Sequence, residues 1–184
     1  AATIQTNKKF IILNGNHDLA KDSSIIGCFQ LLDTFIKNNT YLSNIQVIST
    51  KCDDNLLLLE EEGVALGLYH YNPFLSIDQE IESITIDTNK YPIRIAFGHW
   101  ETIDFGSDVF INRSVPTIIS SNFNYIITGH EHKPKVTFKN GCTIITSGSM
   151  LPYAFGEELE VEPEDRMNCC NLMIKLEWMK GCFL

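Results

Sequence analysis

Four of the five histidines in this chain fall in three short motifs, Gly15-Asn16-His17-Asp18, Gly98-His99-Trp100 and Gly129-His130-Glu131-His132. Imidazole nitrogens together with amide and carboxylate oxygens form a donor set for borderline divalent ions such as manganese, iron or zinc. In an extended loop, His130 and His132 stand two residues apart and point to the same side of the chain. They can then serve two ions about 3.5–4 Å apart, the separation found where paired metals activate water against a phosphate ester. Singly, the motifs are less specific: GNHD alone reads as a polar turn with a capping aspartate, and GHW alone as an ordinary strand end. Their repetition is what points to a metal site. His70, in Leu68-Tyr69-His70-Tyr71, has no such setting and reads as a core or surface histidine.

Each motif begins where an apolar run stops. Phe10–Leu13, Ile93–Phe97 and Tyr125–Thr128 are short and rich in β-branched and aromatic residues, the pattern of strands covered on both faces. Ligands in open α/β sheets gather at the carboxyl ends of the strands. A glycine before each histidine is expected to allow either positive φ or a close approach to the site. Between these strands, Ile25, Phe29, Leu32, Phe35 and Ile36 recur at helical spacing behind possible caps at Asp22-Ser23-Ser24. Asn44–Ser49 and Asn55–Leu59 read as strands, the second turning at Glu61-Glu62-Gly63 into Val64–Tyr69. Ile77–Ile84 is a further helix candidate, and Val115–Ser121 a short helix or turn. Asn140-Gly141 between Lys135–Phe138 and Cys142–Thr146 is a strong hairpin signal. Leu172, Ile174, Leu176 and Trp178 alternate with polar neighbours as in a half-buried final strand. Strands dominate the second half, which favours a two-sheet α/β sandwich over one doubly wound sheet.

The chain has 184 residues, 44% hydrophobic and 20% charged, as in one ordinary globular domain. It contains no apolar run near the roughly 18 residues that suggest a membrane span. Six cysteines without CxxC spacing read as reduced thiols in a cytosol-like compartment. A net charge of −9 excludes a broad basic nucleic-acid surface, so DNA contact requires a local basic path or a partner subunit. The acidic stretch Gly156–Asp165 reads as a solvated loop or a partner-docking one. Trp100, Tyr153 and Phe155 each allow two readings, a packed ring or a platform for a nucleotide base.

GNHD, then GH, then GHxH followed by a hairpin and Ser147-Gly148-Ser149 resembles the calcineurin-like metallophosphoesterases. Ala96-Phe97-Gly98-His99-Trp100-Glu101 and the SGS segment look most like the SbcD type of DNA double-strand-break nuclease and its tailed-phage recombination counterparts. The likeness is strong in the three motifs and loose elsewhere. It implies an αββα two-sheet sandwich and a two-ion site, with Mn2+ as first candidate and Mg2+, Fe or Zn2+ as others. It further implies that Asn16, His99 and His130 ligate one ion and His132 the other. His17 would meet the scissile phosphate and help the leaving oxygen depart, with Asp18 orienting it from behind. The implied function is metal-dependent hydrolysis of DNA within a recombination or repair complex. The implied partners are DNA and an SbcC-like ATPase subunit in a cytoplasmic, for instance phage-infected bacterial, setting; a homodimer stays open. The same fold also serves phosphatases, nucleotide phosphodiesterases and non-catalytic scaffolds.

The resemblance has one gap. The family pattern includes D-x-H and G-D-x-x-D ahead of GNHD, and neither occurs in these 184 residues. Residues 1–184 are therefore expected to form a partial catalytic domain that lacks the first strands and the C-terminal capping region. The missing ligands belong to a fuller chain, to another chain, or to no chain if this is a non-catalytic relative.

Overall fold

A computed structural model describes residues 9–18, 26–48, 56–71, 85–101, 117–139 and 141–148. The order of elements is β1 (Phe10–Leu13), α1 (Cys28–Lys37), β2 (Ile45–Ile48), β3 (Leu56–Leu59), β4 (Val64–Leu68), β5 (Ile93–Gly98), α2 (Thr117–Asn122), β6 (Tyr125–Thr128), β7 (Lys135–Lys139) and β8 (Cys142–Thr146). The class is mixed α/β. Six strands form one sheet in the order β3-β4-β5-β6-β8-β7, and β1 and β2 form a separate parallel pair. Within the larger sheet β4, β5, β6 and β8 run parallel, while β3 and β7 close the two edges antiparallel. Both expected hairpins, β3–β4 and β7–β8, are present.

The apolar runs become central strands because both faces of the larger sheet are covered, which leaves no polar side to alternate with. Tyr69, Ala96, Trp100, Ile119, Phe123, Ile126, Cys142 and Ile144 pack together on one face; Ile95, Ile127 and Ile145 pack on the other. The single arginine in IRIAF is no exception. It sits near the amino end of β5, where its guanidinium donates to the carbonyls of Asn122 (2.8 Å) and Tyr91 (3.0 Å), tying α2 to the sheet. Burial pushes the Cys142 thiol up to about 11, and Cys28 and Cys142 are both free thiols.

The helix expectation needs correction. α1 begins at Cys28, with Gly27 at its N-cap and the Gln30 side chain accepting from the Gly27 N–H at 2.9 Å. Only Phe29 and Ile36 are buried, against Val47, Ile12, Leu42 and Ile45. Leu32 and Phe35, expected inward, are exposed. Among the described residues α1 packs on the β1–β2 pair and Leu42, and its buried stripe is reduced to Phe29 and Ile36, seven residues apart. The Asp22–Ser24 caps, the helix candidate 77–84 and the final strand expected at 172–178 lie outside the described residues, as do Tyr153, Phe155 and the acidic stretch 156–165. Among the described residues no helix is long and apolar enough to cross a membrane.

Asn14 joins the two sheets. It is 1% exposed and follows β1 directly. Its Nδ2 donates to the Tyr71 carbonyl and its Oδ1 accepts from the Tyr71 N–H, both at 3.0 Å. One side chain thus extends a strand-like pairing from β1 to the chain leaving β4. Replacing it leaves a partly buried backbone donor and acceptor unsatisfied, at about 1–3 kcal/mol for such a group. Asn14→Ala is expected to lower unfolding free energy by that order in urea titration.

Candidate metal centre

Because β4, β5, β6 and β8 are parallel and paired in continuous register, their carboxyl ends lie along one rim. Gly98 is level with Thr128, and Thr128 with Thr146. His99 and His130 leave the sheet side by side there, and the Asn14 tie brings the loop after β1 to the same rim. That loop is held by Asp18, whose Oδ2 accepts from the Gly15 N–H at 2.7 Å. The Asp18 N–H returns to the Gly15 carbonyl at 3.3 Å. Asp18 therefore acts as the turn-closing aspartate of the motif, and both it and His17 are exposed.

Three of the four expected donors, Asn16, His99 and His130, meet in a chain of contacts. Asn16 Oδ1 lies 2.9 Å from His99 Nε2, across 83 residues of sequence. The His99 ring meets the edge of His130 at a centroid distance of 4.9 Å and that of Tyr71 at 5.7 Å. His130 Nε2 faces Glu101 Oε1 at 3.4 Å. Among the described residues no three His, Cys, Asp or Glu side chains are gathered into a formed cation cage. The arrangement is two pairs, Asn16 with His99 and His130 with Glu101, sharing the edge between the imidazoles.

Electrostatics at His99 place the rest of the motif nearby. Burial is the main cause that pushes its imidazole down to about 4, and the charge of His130 adds to it. Asp18 opposes the shift, while His17 and His132 reinforce it. Asn16, His17, Asp18, His99, His130 and His132 therefore all lie within contact or electrostatic reach of one imidazole. Two observations fit this set to a divalent ion. His99 is held neutral, the state in which imidazole ligates. The Nδ1 atom of His130 is buried without a hydrogen-bond partner, a situation a cation resolves.

Two of the three glycines, Gly15 and Gly98, act by close approach. None of Gly15, Gly98 and Gly129 has positive φ, which among the described glycines occurs at Gly63, Gly141 and Gly148. A Cβ on Gly15 would come within 2.9 Å of the His99 ring, and one on Gly98 within 2.4 Å of Trp100. Trp100 is a packed ring, 8% exposed, against Tyr69 at a centroid distance of 5.4 Å. The base-platform reading of Trp100 is thereby corrected: burial leaves no free ring face. Its backbone is bolted to Thr128, whose Oγ1 accepts from the Trp100 N–H at 2.8 Å and donates to the Trp100 carbonyl at 2.6 Å. His70 is buried at the end of β4, as a core histidine, and burial lowers its pKa.

Sequence reasoning passed over Glu101, Tyr71 and Asn14. Glu101 had a signal, since two residues beyond His99 it shares a side with that histidine under strand alternation. Tyr71 and Asn14 had none, because their meeting is 57 residues apart. No protein-family model matches this chain, and no curated protein matches it significantly.

The pH dependence follows from His99. In the metal-free protein the unfolded chain takes up a proton near the ordinary histidine value of about 6.5, whereas the folded one holds off until about 4. Unfolded protein then binds more protons in that window, so the stability held above 6.5 drains away as pH falls toward 4. Imidazole NMR titration is expected to place the His99 midpoint well below the ordinary value; a midpoint near 6.5 would refute the buried neutral imidazole.

Proposed function

We propose that this chain carries one side of the metal centre of a divalent-metal-dependent phosphodiesterase acting on DNA, with Mn2+ as the first candidate ion. The observation that carries the reading is the contact chain Asn16–His99–His130 at one sheet rim, assembled from three motifs of the metallophosphoesterase pattern. In this reading the fold is the αββα sandwich of those enzymes. Asn16, His99 and His130 hold one ion and His132 contributes to the other. When bound, the ions supply a water of lowered pKa and neutralise charge on the phosphate. His17, exposed on the turn after β1, would meet the ester and donate a proton to the departing oxygen. Asp18 holds that turn in place.

A local basic path supports DNA over a small ester. Lys133 and, on edge strand β7, Lys135 and Lys139 follow His132, all exposed, in a chain of net charge −9. Lysines also guard edge strands against pairing with other chains, and the binding experiment below separates the two roles. An SbcC-like ATPase subunit is the partner this reading entails.

Manganese-dependent digestion of linear DNA, compared with hydrolysis of a small chromogenic phosphodiester, tests the substrate. Activity of the complete protein on the small ester alone would favour a nucleotide phosphodiesterase or phosphatase, and its activity on neither a scaffold. In the complete protein, His17→Ala is expected to cut turnover by about 10²–10⁴-fold with bound manganese unchanged. His130→Ala is expected to release manganese, and equal metal loss in both would exchange their roles. Lys135→Glu with Lys139→Glu is expected to weaken DNA binding and flatten its salt dependence by about one unit of slope per lost phosphate contact. An unchanged slope would move the DNA off β7.

A further inference from the structure

Glu101 has no part in the function proposed above. Its Oε1 lies 3.4 Å from Nε2 of His130, and both side chains are mostly buried, with 21% and 25% exposure. On the opposite side of the same imidazole, Nδ1 is buried and unpartnered. A neutral imidazole carries one proton, and the group beside one nitrogen decides which nitrogen keeps it. We propose that Glu101 is a positioning residue for His130: its carboxylate holds the proton on Nε2 and orients the ring, leaving the Nδ1 lone pair for the metal. The proposal rests on the metal-centre reading.

The backbone fixes this pair in place. Trp100 is bolted to Thr128 by the two reciprocal hydrogen bonds of 2.8 and 2.6 Å. Glu101 is the next residue after Trp100, and His130 stands two residues past Thr128. Both side chains therefore spring from backbone clamped at one buried point, so their separation does not depend on flexible loops. A carboxylate behind a ligating histidine raises its basicity and fixes its tautomer, and removing such a partner generally costs about 10–100-fold in metal affinity.

Glu101→Ala and Glu101→Gln distinguish positioning from ligation. Manganese affinity is measured by titration calorimetry on the 184-residue chain, and the His130 tautomer by nitrogen-15 NMR on the same chain without metal. Glu101→Ala is expected to bind manganese about 10–100-fold more weakly and to let the His130 proton spread over both nitrogens. Glu101→Gln keeps an oxygen acceptor and is expected to retain the Nε2 proton and most of the affinity. An unchanged tautomer in Glu101→Ala overturns the proposal, whatever happens to affinity. Equal manganese loss in both variants also overturns it, because Glu101 would then be a ligand. If the unaltered chain binds no manganese, the metal-centre reading fails, and the metal-free tautomer still decides whether Glu101 positions His130.

Discussion

The site depends on the continuous parallel register of β4, β5, β6 and β8. Side chains alternate along each strand, so a slip of one residue between β5 and β6 would send the whole face of one strand to the other side. The pairing of Gly98 with Thr128, and of Thr128 with Thr146, sets the two histidine loops level. Neither loop needs to be long, because each histidine follows its strand within two residues. The β7 and β3 edges run antiparallel and contribute no carboxyl end of a parallel strand to that rim, which narrows it to the central strands and the loop after β1.

Polar groups at this rim are buried in proportion to how well they are answered. Asn14, Thr128 and Thr146 are each about 1% exposed. Asn14 and Thr128 satisfy themselves on backbone that other strands leave open, and so stiffen the frame while adding no charge. His99 is different, since burial and neighbouring imidazoles oppose its protonation and leave it a neutral donor. The rim thus separates into groups such as Asn14 and Thr128 that fasten backbone and imidazoles that meet edge to edge. Gly15 permits the approach of the His99 ring, because a side chain there would collide with it.

The strands were legible because covered parallel strands leave a dense apolar signature, as in Tyr125–Thr128, and because Asn140-Gly141 suits a tight hairpin turn. The meeting of the three motifs was legible for the same reason: strands of one direction deliver their ends to one rim. The face of α1 was not, since periodicity records where apolar residues lie and not how wide a surface waits to receive them. Trp100 was ambiguous until Tyr69 and Thr128 were seen to enclose it. Long-range ties such as Asn14 with Tyr71 carry no local pattern at all. The second ion and its bridging carboxylate rest on the family resemblance alone, because the motifs that would supply them do not occur in the sequence.

The Asn14 tie also bears on the order in which the molecule assembles. Asn14 and Tyr71 are separated by 57 residues, and Asn16 and His99 by 83. Closing such loops is entropically costly and slow compared with forming the β7–β8 hairpin, whose partners adjoin in sequence. Donors from the first strand can join those of the central sheet only after that closure. The Asn16–His99 contact would therefore report that long-range closure and not the formation of the local hairpin, and residues 14–16 would reach the central rim only once it had taken place.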